Sequence, residues 1–165
     1  MHSYIFKKII NSPLSAAETK GTILWISHAD KKPPHIGISV NGNYYSWKAK
    51  GLDFGVKTSV LQKSIDLLQL PSVQVLLSFS LSEERVKSIF EGVKDTHSGI
   101  NCYSPIKKIL ELNENLTYIY SMLDYLEEQG SFTEVYGQYL PENYTGLLNY
   151  TTKEIENRIN TLRNV

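Results

Sequence analysis

The stretch His35-Ile36-Gly37-Ile38-Ser39-Val40-Asn41-Gly42-Asn43-Tyr44-Tyr45-Ser46-Trp47-Lys48 decides how this chain folds. Asn41-Gly42 stands between two alternating runs, and both residue types tolerate the positive φ that a two-residue hairpin turn demands. Such a turn opposes Val40 to Asn43, Ile38 to Tyr45 and Ile36 to Trp47. These side chains share one face, because the side-chain period along a strand is two, and most of them are large and apolar. His35, Gly37, Ser39, Tyr44, Ser46 and Lys48 fall on the other face. The register therefore predicts one core face and one polar face, with the histidine on the polar side.

Upstream of the hairpin, Thr22-Ile23-Leu24-Trp25-Ile26 reads as a strand, and Ser27 to Pro34 as a polar loop closed by prolines. The first 20 residues read as one or two short helices broken at Pro13. Downstream, Val60, Leu61, Ser64, Ile65 and Leu68 have helical spacing and stop before Pro71. Val73 to Phe79 reads as a buried strand, and Ser82 as the cap of a helix whose stripe is Val86, Ile89, Phe90 and Val93. A further helix follows Cys102, marked by Ile106, Ile109 and Leu110. Helical stretches at Leu116 to Gln129 and Lys153 to Arg163 flank a tyrosine-rich connector. There is no repeat, linker or low-complexity tract, so residues 1–165 read as one α+β domain, a small antiparallel sheet packed against helices.

Bulk composition narrows the function classes. Seventeen basic and seventeen acidic side chains cancel, which gives no global field for nucleic acid or an anionic surface. No apolar run approaches the roughly 20 residues that cross a bilayer. The start lacks the pattern of a secretory signal, and a lone cysteine forms no internal disulfide; both point to a reducing, cytoplasmic setting. No spacing of His, Cys or carboxylates suggests a metal site, and no cofactor is implied.

Gly21-Thr22-Ile23-Leu24-Trp25-Ile26, a loop, and then His35-Ile36-Gly37-Ile38-Ser39-Val40-Asn41-Gly42 resemble the strand-loop-strand of NlpC-type papain-like proteins. In ordinary members the cysteine helix precedes this hairpin. Here the one cysteine comes 67 positions after His35, in Gly99-Ile100-Asn101-Cys102-Tyr103-Ser104. That order is similar to the circularly permuted branch, which includes lecithin:retinol acyltransferase-like proteins. Lys50-Gly51-Leu52-Asp53-Phe54-Gly55-Val56 resembles the stretch that follows the hairpin there. Val73 to Phe79 with Leu81-Ser82-Glu83-Glu84 resembles the strand and helix ahead of the cysteine. The likeness spans about residues 20 to 112 and leaves a helical part, 113–165, unassigned.

The resemblance implies a permuted papain-like fold with Cys102 as nucleophile and His35 as general base and acid. The substrate would be a peptide, a cell-wall peptide or a lipid acyl group. The chemistry demands such a pair: cysteine attacks as thiolate, and an imidazole in hydrogen-bond reach takes its proton and later returns it. A third polar group should orient the ring. The family's second histidine is matched here by Ser46, diagonal to His35, or by Lys48, directly opposite. Neither stabilises an imidazolium as a carboxylate does. His97 is a substitute base by proximity to Cys102, and otherwise a solvated loop residue. Pro105, favoured at the first helical position, places the helix start at Ser104-Pro105 with Ser104 as cap, so Cys102 stands at or just outside it. The competing readings are a catalytically silent domain that binds a ligand or protein in the same cleft, and a structural protein whose Cys102 is a small apolar filler.

Overall fold

The computed structural model describes residues 3–94 and 100–164; His97, weighed above as a base, lies outside them. A two-residue strand β1 (Tyr4–Ile5) and a 3₁₀ turn (Glu18–Lys20) precede the meander β2 (Ile23–Ser27), β3 (His35–Val40), β4 (Asn43–Lys48) and β5 (Gly51–Lys57). Helix α1 (Thr58–Leu68), strand β6 (Ser72–Leu77) and helices α2 (Glu83–Gly92), α3 (Tyr103–Ile109) and α4 (Ile119–Glu128) follow. The chain ends with β7 (Phe132–Gln138), β8 (Gly146–Leu147) and α5 (Thr152–Arg163). Six strands form one antiparallel sheet in the order β5-β4-β3-β2-β6-β7, and β1 pairs with β8 apart from it.

The Asn41-Gly42 turn is built as its residue types dictate, with φ of 53° and 77° at the two positions. It pairs Val40 with Asn43, Ser39 with Tyr44 and Ile38 with Tyr45. There the β3–β4 ladder stops. The expected pairing of Ile36 with Trp47, and of His35 with Lys48 beyond it, is not made. Over that half β3 stays with its other neighbour, down to His35 opposite Ser27. The two strands part where the histidine stands, and this parting makes room for a cavity.

The sheet has a core on both faces, which corrects the expectation of one polar face. Leu24, Ile26, Ile36, Ile38, Val40, Tyr45 and Trp47 pack with Val73 and Val75 against α2, α3 and α4, through Val86, Phe90, Ile106, Met122 and Leu123. The opposite face carries Ile23, Trp25 and Tyr44, sealed by Ile65 of α1. Trp25 from β2 was not included in the hairpin reading, and its ring, with that of Tyr44, supplies the apolar area α1 covers. Ser39 is buried there and accepts the Trp25 indole N–H at 2.8 Å.

In place of the expected short helices, the described part of the first 20 residues holds no helix but the 3₁₀ turn Glu18–Lys20. Tyr4 and Ile5 pair with Leu147 and Gly146. Ile10 donates its N–H to the Val135 carbonyl and accepts from the Gly137 N–H, each at 2.9 Å, along the outer side of β7. Long-range pairing of these short β-prone pieces outweighs a marginal local helix. Four strands were absent from the sequence reading: β1, β5, and both β7 and β8 inside the tyrosine-rich connector. Glu83 ties α2 to the sheet by accepting from Asn43 Nδ2 at 2.8 Å and the Tyr45 hydroxyl at 2.7 Å.

Candidate active site

A cavity of about 550 Å³ opens at the end of the sheet where β3 and β4 part, and both His35 and Cys102 line it. His35 arrives as the first residue of β3, after a loop closed by Pro33 and Pro34. Cys102 arrives at the start of α3, whose first turn packs against β3. The expected cap is corrected here. Ser104 lies inside the helix, and Asn101 Oδ1 instead accepts the Tyr103 and Ser104 N–H groups at 2.9 and 3.1 Å. Pro105 fits because it still lies in the first turn, where its missing N–H costs nothing. Cys102 is thereby the N-terminal boundary residue of α3, closer to the helix than Pro105 suggested.

The Cys102 side chain is only partly exposed, and burial pushes its thiol up to about 11. Three backbone N–H groups facing the sulfur, those of Ile36, Cys102 and Tyr103, pull the other way without prevailing. The Ile36 N–H matters for placement, since it puts the sulfur against the residue that follows the histidine. Burial likewise pushes His35 down to about 4; the Asp53 charge raises it, while His28 and Lys48 lower it further. Burial thus favours the neutral form of each, the thiol of Cys102 and the imidazole of His35.

The third polar group becomes legible in three dimensions. Asp53 of β5 stands directly opposite Ser46 of β4. Ser46 is fully buried and donates its hydroxyl to Asp53 Oδ2 at 3.0 Å, while Lys48 Nζ lies 2.9 Å from Asp53 Oδ1. Both residues weighed from sequence as the third member therefore hold Asp53, and Asp53 is the carboxylate whose charge reaches His35. One signal for it was present: Leu52, Phe54 and Val56 alternate after a short turn, which puts Asp53 on the His35 face of a neighbouring strand. Gly37 has a packing role, since a Cβ there would collide with the Tyr44 ring that lies across it beside the cavity.

The rest of the lining comes from unexpected places. Leu61, Leu68 and Leu70 approach from α1 and its exit, and Ile155, Arg158, Ile159 and Leu162 from one face of α5. Tyr150 sets the start of that wall, accepting the Ile119 N–H at 2.9 Å and stacking edge-on with Tyr120. A capping box between Thr151 and Glu154 then launches α5. His28 also lines the cavity, with burial and Arg158 lowering its pKa. Among the described residues no group of three or more His, Cys, Asp and Glu could hold a metal ion. No described helix is long and apolar enough to cross a membrane. Comparisons with protein-family models, curated proteins and solved structures give no match.

Proposed function

We propose that this chain is a permuted papain-like cysteine enzyme that hydrolyses or transfers the acyl group of an amide or ester. What supports the reading is that His35 and Cys102 line one cavity, with the Cys102 sulfur against the Ile36 N–H. The chain order also fits the permuted arrangement, since the histidine hairpin precedes the cysteine helix.

The steps follow from the resting state. A carbonyl enters beside the sulfur, His35 takes the thiol proton as the sulfur attacks, and an imidazolium forms next to Asp53. Asp53 stabilises that cation as the orienting member of a triad does, with Ser46 and Lys48 fixing its two oxygens. Backbone N–H groups around Cys102 are suited to the charge that develops on the carbonyl oxygen. The C–N or C–O bond breaks, the leaving group takes the proton from His35, and a thioester on Cys102 remains. Water, deprotonated by His35, then releases the acid and restores the thiol.

Incubation with p-nitrophenyl acetate followed by intact-mass measurement tests this. An acetyl adduct on Cys102 that disappears in Cys102→Ala and slows in His35→Ala is expected. No adduct at any neutral pH sinks the reading. A second reading, a silent domain that binds a ligand in the same cavity, is favoured by the high thiol and low imidazole pKa values. It predicts no adduct and an unchanged ligand affinity in Cys102→Ala.

A further inference from the structure

Helix α5 sets a cation into an apolar wall. Ile155, Ile159 and Leu162 recur along it at helical spacing, and the two isoleucines pack on the core. Arg158 falls inside that stripe, three residues after Ile155 and four before Leu162, and all four side chains line the cavity. The inward stripe of an amphipathic helix is normally apolar, with the charges on the opposite face. Arginine there is out of pattern.

The other cations that line the cavity are engaged already. Lys48 is paired with Asp53 at 2.9 Å, and Lys50 has an interaction of its own. Arg158 makes no hydrogen bond or ion pair among the described residues. Its charge reaches His28, which lines the same cavity, and opposes protonation of that ring. The guanidinium is therefore a planar fork of donors with nothing to hold. Around it the cavity receives Tyr44, Trp47, Leu61 and Leu70, side chains that suit the apolar part of a ligand.

We propose that Arg158 holds a free carboxylate of the substrate, and that the substrate is an apolar amide ending in an α-carboxylate. An acylated amino acid and the C-terminus of an apolar peptide share that chemistry. Guanidinium and carboxylate match charge for charge and bond through two parallel hydrogen bonds. A phosphate group brings more negative charge than one guanidinium balances, and Lys48 and Lys50 are not free to supply the rest. A cavity of about 550 Å³ is of the size that encloses a small organic ligand. The word substrate rests on the acyl-transfer reading, whereas recognition of the carboxylate is read by binding alone.

Calorimetric titration of the full chain carrying Cys102→Ala, which forms no adduct, is the test. The probes are N-octanoylglycine and N-acetyl-leucyl-leucine, each compared with its C-terminal amide. At least one acid should bind about tenfold tighter than its amide, and which one does so separates the acylated amino acid from the peptide. Arg158 is exposed and bonds to no neighbour, so its replacement leaves the fold intact. Arg158→Gln should bring the acid down to the affinity of its amide, and Arg158→Glu should make the amide the tighter ligand. Equal affinity of acid and amide in the Arg158 chain overturns the proposal, as does the absence of binding by either pair. A preference that survives Arg158→Gln overturns it too. An acid preference in a chain whose Cys102 never takes an acetyl group supports this site while the acyl chemistry fails; an acetyl adduct without the preference sinks this site alone.

Discussion

Burial is the dominant force on the Cys102 and His35 side chains, and it acts on them in opposite directions. It lifts the Cys102 thiol to about 11 and depresses the His35 imidazole to about 4, so each is held in its neutral form across the physiological range. Alkylation of Cys102 by iodoacetamide, which consumes thiolate, should be slow at pH 7. It should then rise about tenfold per pH unit up to pH 10, without the low-pH plateau of a preformed ion pair. A plateau between pH 5 and 8, followed by mass spectrometry, would show the pair to be ionised. The Asp53 charge raises the His35 pKa and Lys48 opposes it. Asp53→Asn should therefore lower the imidazole titration seen by NMR, and Lys48→Gln should raise it. That His35 opens a strand and Cys102 stands near a helix start was legible from sequence, because alternation and a first-turn proline are local signals. The register beyond Ile38 and the helix start itself were not. Asp53 had only the alternation of its own strand as a signal, since its meaning depends on the pairing of β5 with β4 that sets it opposite Ser46.

At the scale of elements, the hairpin came through because its turn chemistry and alternation agree. The partner it lost was the far half of the β3–β4 ladder. Gly37 shows what the hairpin must provide in that region: the Tyr44 ring occupies the space where a side chain would stand. Gly37→Ala should destabilise the fold by about 1–3 kcal/mol, the usual cost of overpacking, measured as a lower urea midpoint at unchanged slope. Tyr44→Ala in the same background should recover part of the loss; additive losses would remove the steric explanation. The α3 start was misplaced by two residues because Pro105 is tolerated anywhere in a first turn, and the decisive cap was the Asn101 side chain. Asn101→Ala should cost about 1 kcal/mol, read in the same titration. Strand β7 was hidden because its residues, Thr133, Glu134 and Gln138 among them, are polar enough to pass for a connector. Its pairing with β6 joins segments more than 50 residues apart, which no local pattern encodes.

Across the whole molecule, one sheet with a core on each face sets α1 against one side and α2, α3 and α4 against the other, with Ile155 and Ile159 of α5 packed on the latter core. Helices α1, α3, α4 and α5 all contribute to the cavity lining. The sheet's outer strands are treated differently. On one side, β5 is interrupted by positive φ at Gly51 and Gly55 and by the bulge against β4, and so presents an irregular row of backbone groups. On the other, β7 has its own bulge against β6, between Leu76 and Leu77, and Ile10 covers the outer Val135 C=O and Gly137 N–H by two hydrogen bonds. The N-terminal segment is thus a guard against aggregation as much as a piece of the fold. Without residues 1–12, β7 would offer a bare template to any extended chain, including another copy of itself. Such a truncated chain should self-associate with rising concentration in sedimentation velocity and bind thioflavin T, while the intact chain at the same concentration does neither. A truncated chain that stays dispersed would mean that β7 is shielded by something other than Ile10.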